Sequence, residues 1–255
     1  MTTKARLYIA WIAAAGLTVL AVGVSRWQFS DLQRFLAFLL LAIIASTLKI
    51  HLPRMRGTMS LSFLFILIGI ADFSLAETLL LGCTAGFVQS LWKPKQSPKG
   101  AQVVFNMATL VLSAGMADWV SHLVLALAHT NSLVLLIALA TFVFLLLNTG
   151  LVAMVISLAE EKPLRSEWLH CFYWSFPYFL VGAVAAGLVS ATSRSGGWVA
   201  ALLVLPLMYL SHLWYQIHVE NVAQGPAILV GLRQRPPVFL RDSEPATLSV
   251  PSETQ

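Results

Sequence analysis

Residues 49–106 read KIHLPRMRGTMSLSFLFILIGIADFSLAETLLLGCTAGFVQSLWKPKQSPKGAQVVFN, and the rest of the chain is threaded from this stretch. A basic knot (Lys49, His51, Arg54, Arg56) precedes an apolar run from Met59 to Phe73. A tight turn spans Asp72 to Glu77, a second apolar run reaches Trp92, and a second basic knot comes after it (Lys93, Lys95, Lys99). Two hydrophobic passes bracketed by positive charge predict a transmembrane hairpin. In lipid the α-helix is the natural spanning element, because it satisfies its own backbone groups. Lys and Arg in short loops are retained in the cytoplasm, so both feet of the hairpin are expected there.

Composition points the same way. Of 255 residues, 58% are hydrophobic and 11% charged, with a mean hydropathy of +0.80. Soluble domains carry about 25% charged residues, so a polytopic membrane protein is expected. The net charge of +5 does not signal nucleic acid, because the basic residues sit at the ends of apolar runs and not on a polar face. Anionic lipid of the cytoplasmic leaflet is their natural partner. Cys83 and Cys171 form neither a disulfide framework nor a CxxC.

Working outward gives an all-α bundle of about eight helices. The first is read from Leu7 to Val24, too long for a signal-peptide core. The second runs from Leu32 to Ile50 and is closed by Pro53 and Gly57. The hairpin supplies the third and fourth. The fifth spans Ala101 to Ala128, the sixth Leu133 to Leu158, the seventh Leu169 to Ala191 and the eighth Trp198 to His218. Residues 1–218 form the membrane domain, and the proline-rich tail 219–255 is too polar to fold alone. With the N-terminus inside, thirteen of the sixteen Lys and Arg fall on the cytoplasmic side, leaving Arg26, Arg34 and Arg194 outside. That bias predicts an inner-membrane protein with both termini in the cytoplasm. Trp27, Trp92, Trp168 and Trp198 fall at the expected interfaces.

Several colinear pieces carry a resemblance: LPRMRGTMSLSFLFILIGI (52–70), ETLLLGCTAGFVQSLWK (77–93), AQVVFNMATL (101–110), CFYWSFPYFLVGAVAAGL (171–188) and LPLMYLSHLWYQIHVEN (205–221). Together they resemble the integral membrane sensory (MASE-type) module that precedes GGDEF or HD-GYP output domains in bacterial signalling proteins. The resemblance implies a sensor with a cytoplasmic C-terminus. Beyond Asn221 there is no GGDEF, HD pair or GYP, so a separately encoded cytoplasmic output protein is the expected partner. The expected function is a signal-coupling module without catalytic output or cofactor. The alternative is a small-solute transporter, favoured by Pro177 and Pro206 within helices, since broken helices can bind solutes near the midplane.

Candidate site residues are few. Gly82 and Gly86 form a GxxxG in the fourth helix, permitting close backbone approach or a homo-oligomer. Gln89, Asn106 and Asn148 are read as interhelical hydrogen-bond groups. Asp118 and His122 share a helix face, and Asp72 and Glu77 flank the turn of the hairpin. An acid at the bilayer centre costs about 2.5–3.5 kcal/mol and is functional by default. The four are therefore read as a proton-, cation- or ligand-sensing site on the outer side, with capped helix ends meeting water as the plainer reading. Glu160-Glu161-x-x-x-Arg165 resembles the first motif of intramembrane CAAX proteases, but Pro163 interrupts it and the chain has no FxxxH, so a solvated loop is preferred. His212 and His218, six apart, do not share a face for haem.

Overall fold

The computed structural model describes residues 2–27, 31–51, 58–92, 99–197, 209, 210 and 213. Within them lie α1 (Thr3–Ser25), α2 (Leu32–Thr47), β1 (Lys49–His51), β2 (Thr58–Ser60), α3 (Ser62–Asp72), α4 (Leu75–Leu91), α5 (Gly100–Leu127), α6 (Leu133–Glu160) and α7 (Leu164–Gly196). Short polar side chains set the helix starts. Thr2, Asp31, Ser74 and Ser132 each accept a backbone N–H of the first turn of α1, α2, α4 and α6, which satisfies donors that the helix leaves orphaned.

Four helices, α1, α5, α6 and α7, are long and apolar enough to cross a membrane. Large apolar side chains stand exposed on the outside of the bundle, among them Leu7, Trp11, Leu17, Val134 and Phe142. A soluble protein rarely shows so much apolar surface, and a lipid-facing one requires it. The chain is thus a helical, membrane-embedded bundle. All of the predicted eighth helix but residues 209, 210 and 213 lies outside the described residues, including Trp198, Pro206, His212 and His218, as do Arg54, Arg56, Lys93, Lys95 and the tail 219–255.

The third pass differs from the expected one. The apolar run from Met59 predicts a helix to Phe73, whereas α3 begins at Ser62 and has 11 residues, about 16 Å at 1.5 Å per residue. Ahead of it, β2 pairs antiparallel with β1 in the register Lys49↔Ser60, Ile50↔Met59 and His51↔Thr58. The second pass accordingly stops at Thr47 and not at Ile50. Thr58 and Ser60 are weak helix formers whose hydroxyls compete for backbone groups, and that tips the segment into extended structure. The expected third pass is therefore a composite of three strand residues, at about 3.3 Å each, and a helix shorter than the four candidate spans.

Every residue of α3 from Ser62 to Ile70 is buried, and α3 packs against α2, α4, α5, α6 and α7. A helix that is hydrophobic all round belongs inside, and here it is sheathed by protein. Phe63 packs against Phe179 of α7 with the rings tilted and their centroids 4.4 Å apart, and Phe38 of α2 meets Phe65 edge-on. The seventh helix starts five residues before the expected Leu169 and ends five after Ala191. It continues through Pro177, and the charged loop shrinks to residues 161–163.

Small residues set the spacing of the other helices. A Cβ added at Gly86 would stand 2.9 Å from the Cα of Met107, whereas at Gly82 its nearest neighbour, the Leu110 carbonyl oxygen, is a comfortable 3.6 Å away. The α4–α5 contact is therefore tightest at Gly86. Asn106 secures it by donating Nδ2 to the Gly86 carbonyl and to Ser90 Oγ, each at 3.0 Å. Gly86→Val should push these helices apart and lower stability by about 1–3 kcal/mol, the usual range for overpacking. Thermal unfolding in detergent checks this, and an unchanged midpoint would mean the contact yields freely.

Candidate functional site

Three helix ends meet around Asp72, the last residue of α3. A carboxylate there faces the negative end of the helix dipole, so it needs positive partners, and two arginines provide them. Arg194, in the last turn of α7, donates Nε to Asp72 Oδ1 at 3.1 Å. Its Nη2 donates to the Ala71 carbonyl at 2.8 Å, capping the C-terminus of α3 in the way basic side chains do. From α2, Arg34 Nη2 lies 3.1 Å from Asp72 Oδ2 and donates to Ser193 Oγ at 3.0 Å. Asp31 caps the start of α2 by accepting the Arg34 backbone N–H at 3.0 Å, which fixes where the Arg34 side chain departs.

The carboxylate is withdrawn from solvent: the Asp72 side chain is 3% exposed, against 22% for Arg34 and 48% for Arg194. Arg34 rests on an aromatic bed, its guanidinium carbon 5.0 Å from the Phe73 ring centroid and 5.9 Å from that of Phe38. Phe35 and Phe38 meet Phe73 edge-on behind it. Arginine suits this role because its planar group stacks and pairs at once. The result is an ionic clasp that joins α2, α3 and α7, with Arg194 122 residues beyond Asp72.

The structure divides the four predicted site residues. Glu77, 1% exposed, closes a capping box at the start of α4: the Ser74 N–H and hydroxyl both donate to its Oε2, at 2.8 and 2.7 Å. Its Oε2 is thus occupied by a local structural task. Asp118 and His122 pair with each other on α5, His122 Nδ1 lying 2.9 Å from the Asp118 carbonyl oxygen and 3.5 Å from Oδ1. The His122 side chain is half exposed. Among the described residues, no hydrogen bond or ion pair joins this pair to Asp72 or Glu77. Asp72 alone of the four lies in the clasp.

Arg34 and Arg194 are the clasp residues that sequence reasoning passed over. In the charge distribution both are exceptions to the cytoplasmic bias, and the missed signal was that an acid at a helix end needed them. Elsewhere, Glu160 pairs with Lys162 at 2.7 Å, so the EExxxR glutamate is engaged in a surface ion pair. Among the described residues, no three His, Cys, Asp or Glu side chains converge to hold a metal ion. No family model, curated protein or solved structure matches the chain.

Asp72→Ala removes the buried carboxylate and leaves two partly exposed arginines, so it is expected to destabilise the bundle by about 1–3 kcal/mol in detergent unfolding. His122→Ala, at a half-exposed position, should stay within about 0.5 kcal/mol. Equal effects of the two would remove the clasp as a structural element.

Proposed function

We propose that this chain is a membrane sensory or signal-coupling module, acting on a cytoplasmic output. The observation that carries this reading is the clasp: one buried carboxylate shared by two arginines from distant helices. A stimulus that binds or neutralises any one member would favour an open arrangement over the closed one. The clasp lies at the end that the charge distribution assigns to the outside of the inner membrane. Both termini then belong to the cytoplasm. In this reading α7, held at the clasp, carries the change to the opposite end, where it meets α6 through residues 161–163.

A solute transporter is the second reading, and the composite third pass favours it. Where that pass is not helical, Ser60 Oγ lies 2.6 Å from Ser62 Oγ and donates to Gln89 Oε1 at 3.1 Å. Backbone outside a helix at membrane depth is tolerated when it is buried in protein or lines a cavity, and transporters place solute sites at such breaks.

Two measurements separate these readings. Reporter fusions after Ser97 and at the C-terminus should report cytoplasm, and one after Asn131 periplasm; a periplasmic C-terminus overturns the orientation. Hydrogen exchange on the protein in lipid nanodiscs then tests the coupling. Asp72→Asn should raise exchange at the clasp and also at residues 99–103 and 161–167, at the far ends of α5 and α7. Exchange confined to the clasp would make it a local anchor and end the sensory reading. Solute accumulation in liposomes carrying the purified protein would favour transport.

A further inference from the structure

A groove of about 580 Å³ runs between α6 and α7. Its walls include Leu133, Thr141 and Leu145 from α6 and Phe176, Gly187 and Ala191 from α7. Thr141, the polar side chain of the lining, turns its hydroxyl inward to the Ile137 carbonyl at 2.6 Å, so the groove offers a ligand hydrocarbon alone. Its volume falls within the range of about 300–1,000 Å³ found for small-molecule sites. Along α6 it extends from Leu133 to Leu145, about 18 Å at 1.5 Å per residue. One leaflet of a hydrocarbon core about 30 Å thick is about 15 Å deep, so the groove runs the depth of a single leaflet.

At the clasp end the groove finishes at Ala191, and Arg194 stands one helical turn beyond. That guanidinium is half exposed. It spends Nε on Asp72 and Nη2 on the Ala71 carbonyl, and among the described residues nothing accepts from Nη1. An apolar channel one leaflet deep, ending beneath a half-exposed arginine, matches one molecule in chemistry and in length. We propose that the α6–α7 groove holds an acyl chain of an anionic phospholipid, with its phosphate accepted by Arg194. The proposal rests on membrane embedding and not on the sensory reading. A second copy of the chain fits less well. A two-fold contact there would bring two Arg194 side chains to the same level, with no acid in the groove lining to offset them.

The test uses the full chain, purified in detergent, stripped of lipid and titrated with phosphatidylglycerol or phosphatidylcholine of identical acyl chains. Native mass spectrometry reads the bound lipid. The unaltered protein should retain phosphatidylglycerol in preference to phosphatidylcholine. Gly187→Phe fills the groove, and a Cβ there meets nothing within 4 Å, so the variant should fold with an unchanged melting point. It should weaken both lipids by about tenfold or more. Arg194→Gln should abolish the preference between headgroups. Asp72→Asn opens the clasp but keeps the Arg194 charge, so it should preserve that preference and thereby separate headgroup binding from clasp integrity. Equal binding of the two lipids by the unaltered protein, or full binding by Gly187→Phe, overturns the proposal. So does a lipid-free dimer that Gly187→Phe dissociates, which would make the groove a contact between copies. A lipid-free protein whose melting point falls in Gly187→Phe would likewise overturn it, by assigning the groove to residues 198–218.

Discussion

The backbone's demand for hydrogen bonds in a medium without water governs this structure. A strand that faced lipid would leave one edge unpaired, at several kcal/mol per group. Ahead of α3, Thr58–Ser60 leaves the helix with β1 as its pairing partner. The helices α2, α4, α5, α6 and α7 around α3 enclose an 11-residue helix whose residues from Ser62 to Ile70 are all buried. Lateral neighbours can then approach closely only where side chains are small, and for that reason Gly86 and Asn106 matter together.

The same economy explains the charges. A carboxylate at the C-terminus of α3 opposes the helix dipole and is buried, two penalties that a lone Asp72 could not carry. Two arginines offset both, one by ion pairing and capping and the other by pairing while stacked on Phe73. Buried ionic groups of this kind add specificity more readily than net stability. In this fold they specify which helix ends belong together.

Much of the fold was legible in the chain itself, because hydropathy, basic knots and short polar caps report local physics. Helices α5 and α6 fall within a residue or two of their expected bounds. What was not legible depended on tertiary neighbours. The apolar run from Met59 looks alike whether lipid or protein encloses it, and the strand pairing needs partners seven to eleven residues back. At the site, Asp72 stood out as an intramembrane acid, but sequence proximity suggested the wrong companions. Glu77 answers to Ser74 three residues away, a capping pattern present in the sequence as S-x-x-E. Arg34 and Arg194 lie 38 and 122 positions from Asp72, and no local rule links them.

That separation has a consequence for biosynthesis. Asp72 leaves the ribosome 122 residues before Arg194, which at about 5–20 residues per second is a delay of about 6–24 s. During this interval Arg34, already made, is the cation available to a carboxylate entering the bilayer. The nascent chain must therefore hold α2 and α3 together as an early unit. The later-made α7 then joins the bundle, bringing Phe179 onto Phe63 and Arg194 onto Asp72. An element so completely enclosed in the finished protein is assembled in the open, and its protection arrives in the order of translation.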